Sequence, residues 1–448
     1  MKEEERENIK DYFFTRFPAL QEGTQVIITQ EISRIISPGV KDINVNKEAA
    51  KLVSSFTGLK KIPEILEEIL LRQPHPEEIT NTISFISQLA DRNMITFLKE
   101  PLEVKLAPRG TFDRIYPQVV NLELTNRCNF GCRYCYQNSS NKEDKFLKDP
   151  LKILEAFKNI NVFGFELSGG EPLLHPQIEE IITYIVDNFS LIGLITNGSL
   201  LREKHLKLLR SNTCKVGIQI CLDGNTPEMV EATTGVKGSF EMEVDAIKLV
   251  KAHNYTLRVG MIVDTPQKID AIEDTLLIAK ELGADSFVPN PFIDFGRGKN
   301  LIHEFKPEDY LRLNDKLLEL ISKYKGFIAR EIEVGKIDYN TLHNCGAGHK
   351  NFVLNWDGIV KPCPLIGAEV LSISHWTEID NEKTQNLFKA YFELESPKKE
   401  ICGDCTYFVY CANCITRALN AYEQNKDNCP WYKKNETLIK KLKGCPSD

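Results

Sequence analysis

Apolar and polar positions along the 448 residues fall into three regimes. From about residue 117, short runs rich in aliphatic and β-branched residues recur: VVNLEL, VFGFELS, LIGLIT, VGIQICL, LRVGMIV and SFVPNPF. Each reads as a strand. Between them lie segments such as IEEIITYIVDNF, AIKLVKAH and AIEDTLLIAKELG, whose spacing predicts helices. That alternation predicts a parallel sheet with helices outside, as an open sheet or a barrel. The notable polar groups each follow a strand: a cysteine loop after NLELT, GGEP after FELS, TNG after GLI and DG after QICL. This is the carboxyl rim, where α/β folds place their chemistry.

The N-terminal regime, residues 1–112, contains no cysteine. TQVIITQEISRIIS carries strand-like residues, and NVNKEAAKLVSSFTG, IPEILEEILL and EEITNTISFISQLADRNMI read as three helices. Short strands with three helices predict a small winged-helix-like module. After a middle regime of residues 113–330, the third regime, 331–448, has weak periodicity but holds Cys345, Cys363, Cys402, Cys405, Cys411, Cys414, Cys429 and Cys445. A segment that cannot build a core from apolar periodicity uses metal sites as staples.

Composition narrows the function classes. Hydrophobic residues at 42% and charged residues at 27% describe an ordinary soluble chain. With a net charge of -7 and no block of Lys and Arg, nucleic acid is not an expected partner. The start, MKEEERENIKDYF, lacks the apolar stretch of a signal peptide, and no apolar run reaches about 18 residues, so no membrane span is expected. The expected location is the cytoplasm. Thiols stay reduced there, so thirteen cysteines read as metal ligands or catalytic groups rather than disulfides.

The cysteine loop reads TNRCNFGCRYCYQ, with Cys128, Cys132 and Cys135. A structural zinc site closes with four ligands, and the nearest downstream histidine is His175. Three thiolates can instead hold a 4Fe-4S cluster through three irons and leave the fourth open to a small molecule. The C-x3-C-x2-C spacing, with Tyr134 before the last cysteine, resembles the signature of radical S-adenosylmethionine (SAM) enzymes. Gly169, Gly170, Glu171 and Pro172 match the family's GGEP segment beside the SAM amino group, and Thr196, Asn197 and Gly198 match its TNG segment. QICLDG resembles the SLDG segment, placing Gln219 and Asp223 among the implied SAM contacts. Two departures stand out. Cys221 replaces a usual serine, and Thr234 stands where relatives show an arginine, which puts the usual SAM carboxylate anchors in doubt. Arg258 is a conceivable substitute or a rim ion-pair partner.

The C-terminal cysteines resemble the SPASM domain, which binds two auxiliary 4Fe-4S clusters, for three clusters in all; paired C-x2-C units also suit zinc. The resemblance implies that Cys402, Cys405, Cys411 and Cys429 hold an outer cluster, and that Cys345, Cys363 and Cys414 hold an inner one. Gly358 stands at the marker position between Cys345 and Cys363. Asn351 occupies the position of a frequent fourth inner ligand, so the inner cluster also has an open iron unless Cys445 folds back. Buried structural thiols are the default for Cys214 and Cys221.

The whole chain resembles a radical SAM/SPASM peptide maturase. FIDFGRGKNLIH, NCGAGHKNFVLNWDGIVKPC and CANCITRALNAYEQNKDNC look like segments of sactipeptide maturases of the subtilosin type. The implied fold is α/β, a partial (β/α)6 TIM-like barrel flanked by an N-terminal peptide-recognition domain (RRE) and a C-terminal SPASM domain. The implied activity joins a Cys sulfur to an α-carbon in a precursor peptide, whose leader binds the N-terminal module as an added strand. An external electron donor such as flavodoxin or ferredoxin is the expected second partner. Thioethers at β- or γ-carbons, carbon–carbon crosslinks and epimerisation are alternative outcomes, and a non-catalytic peptide-binding or iron–sulfur scaffold is an alternative of another class.

Overall fold

The computed structural model describes residues 11–28, 33–37, 40, 42–104, 110–160, 162–293, 295–301, 304–328, 344–366, 374–405, 408–411, 414–424 and 429–443. They fall into two compact units, Met1–Tyr116 with Asn159–Val162, and Pro117–Lys158 with Phe163–Asp448.

In the first unit, strands β1 (Phe17–Leu20), β2 (Gln25–Ile27), β3 (Ser33–Ile36), β4 (Ile43–Val45) and β5 (Ile95–Leu98) accompany helices Lys47–Ser54, Ile62–Leu70 and Pro76–Asp91. Strands β2, β3 and β4 pair antiparallel, and β1 pairs with β5. The first helix starts where the Asn46 side chain accepts the Ala49 N–H at 2.9 Å, and the third has proline in its first turn, where no amide donor is lost. Ile35, Val53, Phe56, Ile62, Ile86 and Leu89 are fully buried in its core. The three expected helices are present. Residues 29–32, within the expected strand-like run, lie outside the described residues.

The second unit is organised by parallel strands β6 (Val119–Glu123), β7 (Gly164–Ser168), β8 (Leu191–Thr196), β9 (Lys215–Cys221), β10 (Thr256–Val263) and β11 (Ser286–Pro291). Each neighbours the next in chain order. Helices Pro150–Asn159, Ile178–Asn188, Glu203–Leu208, Ser239–Ala252 and Lys268–Glu281 occupy the connections. Register aligns Leu122, Leu167, Leu194, Ile218 and Leu257 in one row, all essentially without exposure. Side chains alternate along a strand, so a second row, with Asn121, Glu166, Gly193 and Gly217, occupies the opposite face. The expected α/β pattern with a parallel sheet is therefore present. Among the described residues the sheet does not close on itself: β12 (Asn351–Leu354) runs parallel beside β6, and β13 (Ile359–Lys361) and β14 (Ser374–His375) extend it antiparallel to nine strands.

The weak periodicity beyond residue 331 conceals helices Glu382–Glu393, Ile415–Gln424 and Pro430–Leu442. Contrary to the expectation from sequence, this region builds an apolar core, with Tyr391, Leu394, Ile415, Trp431, Ile439 and Leu442 buried together. Thr384 and Asn435 stand inside the buried stripes of two of these helices and mask the apolar pattern. The indole of Trp431 also donates to the Glu395 carbonyl at 2.6 Å. Replacing Trp431 with alanine should destabilise the C-terminal region by about 3–5 kcal/mol, the usual cost of emptying an aromatic core site. Urea unfolding followed by C-terminal probes should show it, and an unchanged midpoint would mean that the core does not depend on this ring.

Candidate functional site

The cysteine loop leaves the end of β6 and is fastened by backbone hydrogen bonds from three directions. Gly131 and Arg133 N–H groups donate to the carbonyls of Thr234 and Thr233 at 2.8 and 2.9 Å. On another side, Gly170 and Glu171 N–H groups donate to the carbonyls of Thr125 and Arg127 at 2.7 and 2.9 Å. The third clamp is Arg297, whose Nε donates to the Cys132 carbonyl at 2.8 Å and whose N–H donates to the Cys135 carbonyl at 3.0 Å. The sequence reading missed Arg297; its only local signal is an arginine between two glycines after β11.

Gly169 and Gly170 are required by this docking. Gly169 has φ +128°, and a Cβ on Gly170 would lie 2.1 Å from the Arg127 carbonyl oxygen. The next residue, Glu171, is fully buried. Its Oε1 accepts from Thr196 Oγ1 at 2.8 Å and the Leu173 N–H at 3.1 Å, and its Oε2 accepts from the Asn197 N–H at 2.9 Å. Glu171 thus brackets the GGEP and TNG segments together. Asn197 Nδ2 in turn approaches Cys128 Sγ at 3.9 Å and donates to Asn129 Oδ1 at 3.0 Å. Burial raises the Glu171 carboxyl to about 7 against the lowering effect of its three donors.

Tyr134 OH donates to Asp223 Oδ2 at 2.5 Å, and Asp223 Oδ1 accepts the Ile262 N–H at 2.7 Å. Asp223 therefore ties the cysteine loop to β10. Gln219 and Cys221 share one face of β9, two residues apart. The structural-thiol default suits Cys214, which is buried. Cys221 differs: burial holds its thiol well above the ordinary range, and the charges of Asp223, Glu243, Glu171 and Cys128 add to the shift, which places it in the site. Thr234 is buried, with its hydroxyl 2.7 Å from Ser239 Oγ. The buried cation near this point is Lys268, 2.6 Å from Asp264 Oδ1 and 2.6 Å from Thr233 Oγ1. Arg258 lies in register with Gln219, and its charge acts on half-buried Glu166. Glu243, also missed in the sequence, is buried with no hydrogen-bond partner at either oxygen among the described residues, and burial together with Asp223 holds it well above the carboxylate range. The signal for Lys268 is its i, i+4 spacing from Asp264, but Glu243 left none.

Electrostatic influence links the described C-terminal thiols to one another: Cys414 acts on Cys345, Cys363 and Cys411, and Cys402, Cys405 and Cys429 also act on Cys411. Gly358 takes φ +77° in the turn joining β12 to β13. Asn351 opens β12, and Cys445 lies outside the described residues. Burial pushes Cys128 and Cys363 up to about 12 and Cys345 and Cys402 up to about 11. Thiolates at such positions need a cation beside them, which coordinated iron supplies. Among the described residues, no three Cys, His, Asp or Glu side chains stand close enough to hold a single metal ion. Soft all-thiol donor sets are the ligand chemistry that iron–sulfur clusters take. Among the described residues no helix is long and apolar enough to cross a membrane.

Residues 122–278 match the family model of the Radical SAM superfamily. The chain is 28% identical over 407 residues to the antilisterial bacteriocin subtilosin biosynthesis protein AlbA of Bacillus subtilis, spanning 88% of this chain and 89% of AlbA. It is 26% identical over 289 residues to the sporulation killing factor maturation protein SkfB of the same organism, spanning 63% and 67%. Its fold resembles Streptococcus suis SuiB bound to S-adenosylmethionine, with TM-score 0.62 at 13% identity over 92% of this chain and 98% of SuiB. SuiB bound to its precursor peptide SuiA gives TM-score 0.60 at 14% identity, over 93% and 98%.

The Glu171 carboxyl gives a pH test. Its folded-state value, about 7, is above the ordinary 4.5, so folding favours the protonated form. The stability this contributes is full below pH 4.5 and is lost as pH rises towards 7. Relative to Glu171→Gln, which stays neutral, the wild type should lose up to about 3 kcal/mol across that window in urea unfolding. A wild-type stability that stays level with, or rises relative to, that of Glu171→Gln as pH increases would contradict the assignment.

Proposed function

Starting from a radical SAM domain at residues 122–278, we propose that the chain is a maturase of a ribosomally made peptide and joins a Cys sulfur to an α-carbon within its precursor. The observation that carries this reading is that seven described C-terminal thiols, linked electrostatically through Cys414 and Cys411, lie on the same sheet-bearing unit as the cysteine loop. Resemblance to AlbA and SkfB along much of the chain supports a peptide substrate.

Cys128, Cys132 and Cys135 would hold the SAM-binding 4Fe-4S cluster on a loop fixed from three sides. With SAM bound there, the cluster would supply a 5'-deoxyadenosyl radical that takes a hydrogen atom from the peptide. The backbone of Gly169, Gly170, Glu171 and Pro172 gives SAM a close approach, while the Glu171 carboxylate keeps Thr196 and Asn197 aligned with it. Asp223 fixes Tyr134 against the loop, and Gln219 shares a strand face with Cys221. Cys345, Cys363 and Cys414 would hold an inner cluster open to the substrate sulfur, with Cys402, Cys405, Cys411 and Cys429 closing the outer one. Residues 1–112 would bind the leader peptide as an added strand, and a flavodoxin or ferredoxin would deliver electrons.

Each crosslink would give one hydrogen atom from carbon to the deoxyadenosyl radical, the thiol proton to solvent and one further electron to the inner cluster, so precursor incubated with reductant and SAM should become lighter by two hydrogens. Mass spectrometry reads this. A product of unchanged mass in ordinary water, or one that takes up deuterium from heavy water, would make the enzyme an epimerase instead. Cys128→Ala should abolish 5'-deoxyadenosine formation and retain roughly two clusters' worth of iron. Loss of all iron would contradict independent cluster sites.

A further inference from the structure

Glu123, the last residue of β6, is fully buried. A buried carboxylate is tolerated only when its oxygens are met by donors. Both are met, from different parts of the chain. Tyr136 OH donates to Oε1 at 3.1 Å, and Lys361 Nζ donates to Oε2 at 3.0 Å. Tyr136 directly follows Cys135, and Lys361 stands two residues before Cys363. The sheet register explains the reach. Val353 of β12 lies opposite Asn121 on one side and Lys361 on the other. Lys361 therefore shares a sheet face with Asn121, and its long side chain passes across β12 to Glu123, two residues further along β6. Gln137 Nε2 holds the Tyr136 oxygen from the other side at 3.0 Å. One carboxylate thus belongs to two cysteine segments.

We propose that Glu123 is a positioning residue shared by the barrel cysteine loop and the inner cysteine set, so that clusters held at the two places respond to one common charge. The proposal rests on the reading that both sets hold iron–sulfur clusters. A charge fixed in a low-dielectric wall acts on groups on either side of it, whereas a bridge that only staples β13 to β6 changes stability alone.

Reconstituted full-length protein without SAM or peptide provides the test, with iron content measured alongside EPR-monitored redox titration of each cluster. Glu123→Gln should move the midpoints of both the barrel and the inner cluster to more positive values. Lys361→Met should move both to more negative values, and the double variant should return both towards wild type. Tyr136→Phe removes one hydroxyl and is the milder variant if Glu123→Gln loses iron. It strips a donor from the carboxylate and should move the inner midpoint negative although the inner segments are untouched. Shifts confined to the cluster nearest each substitution, at full iron content, would overturn the proposal. A wild-type protein holding iron for the barrel cluster alone would instead defeat the cluster reading beneath it.

Discussion

Three thiols on an irregular loop can present a fixed ligand set only if the backbone between them cannot move. Here the carbonyls of Thr125, Arg127, Cys132 and Cys135 accept hydrogen bonds from neighbouring segments, and the N–H groups of Gly131 and Arg133 donate to another. Much else in the site follows from that immobilisation. Close docking of GGEP on the loop demands glycine at 169 and 170. The same docking buries Glu171, whose oxygens must then find donors, and they find them in the TNG segment and the next turn. A motif that looks like a string of ligand contacts is also the scaffold that holds the cysteine loop in place.

Burial around the loop sets the electrostatics. Glu123, Glu171, Asp223, Glu243 and Asp264 are all buried, but their partners differ in kind. Asp264 and Glu123 have lysines, Asp223 and Glu171 have hydrogen-bond donors, and Glu243 has neither. The Cys128 thiol, pushed up to about 12, adds to this excess of groups that ionise only beside positive charge. Iron and the sulfonium and ammonium groups of SAM are cations of the kind such a site would accommodate.

Most of the sheet was legible in the sequence, because buried parallel strands appear as separate Val-, Ile- and Leu-rich runs and because each chemical motif directly follows one. The C-terminal cysteines stood out by their C-x2-C spacing, while their division into two ligand sets is what the resemblance implies. Partnerships between distant positions were not legible: Glu123 and Lys361 are 238 residues apart, and nothing near either one marks the pair. The C-terminal helices escaped notice because Thr384 and Asn435 interrupt their apolar stripes. Cys221 stood out in the sequence by replacing the usual serine of QICLDG, with a buried structural thiol as the default, and the charges of Asp223, Glu243, Glu171 and Cys128 that act on it favour a place in the site.

The central claim is that a radical generated at the barrel loop removes the hydrogen that the sulfur replaces. Precursor peptide carrying deuterium at the α-carbon of the acceptor residue tests this most directly. The account predicts that 5'-deoxyadenosine formed during crosslinking carries that deuterium, while a β-deuterated precursor gives unlabelled 5'-deoxyadenosine. Crosslinked product accompanied by unlabelled 5'-deoxyadenosine from the α-deuterated peptide would contradict it.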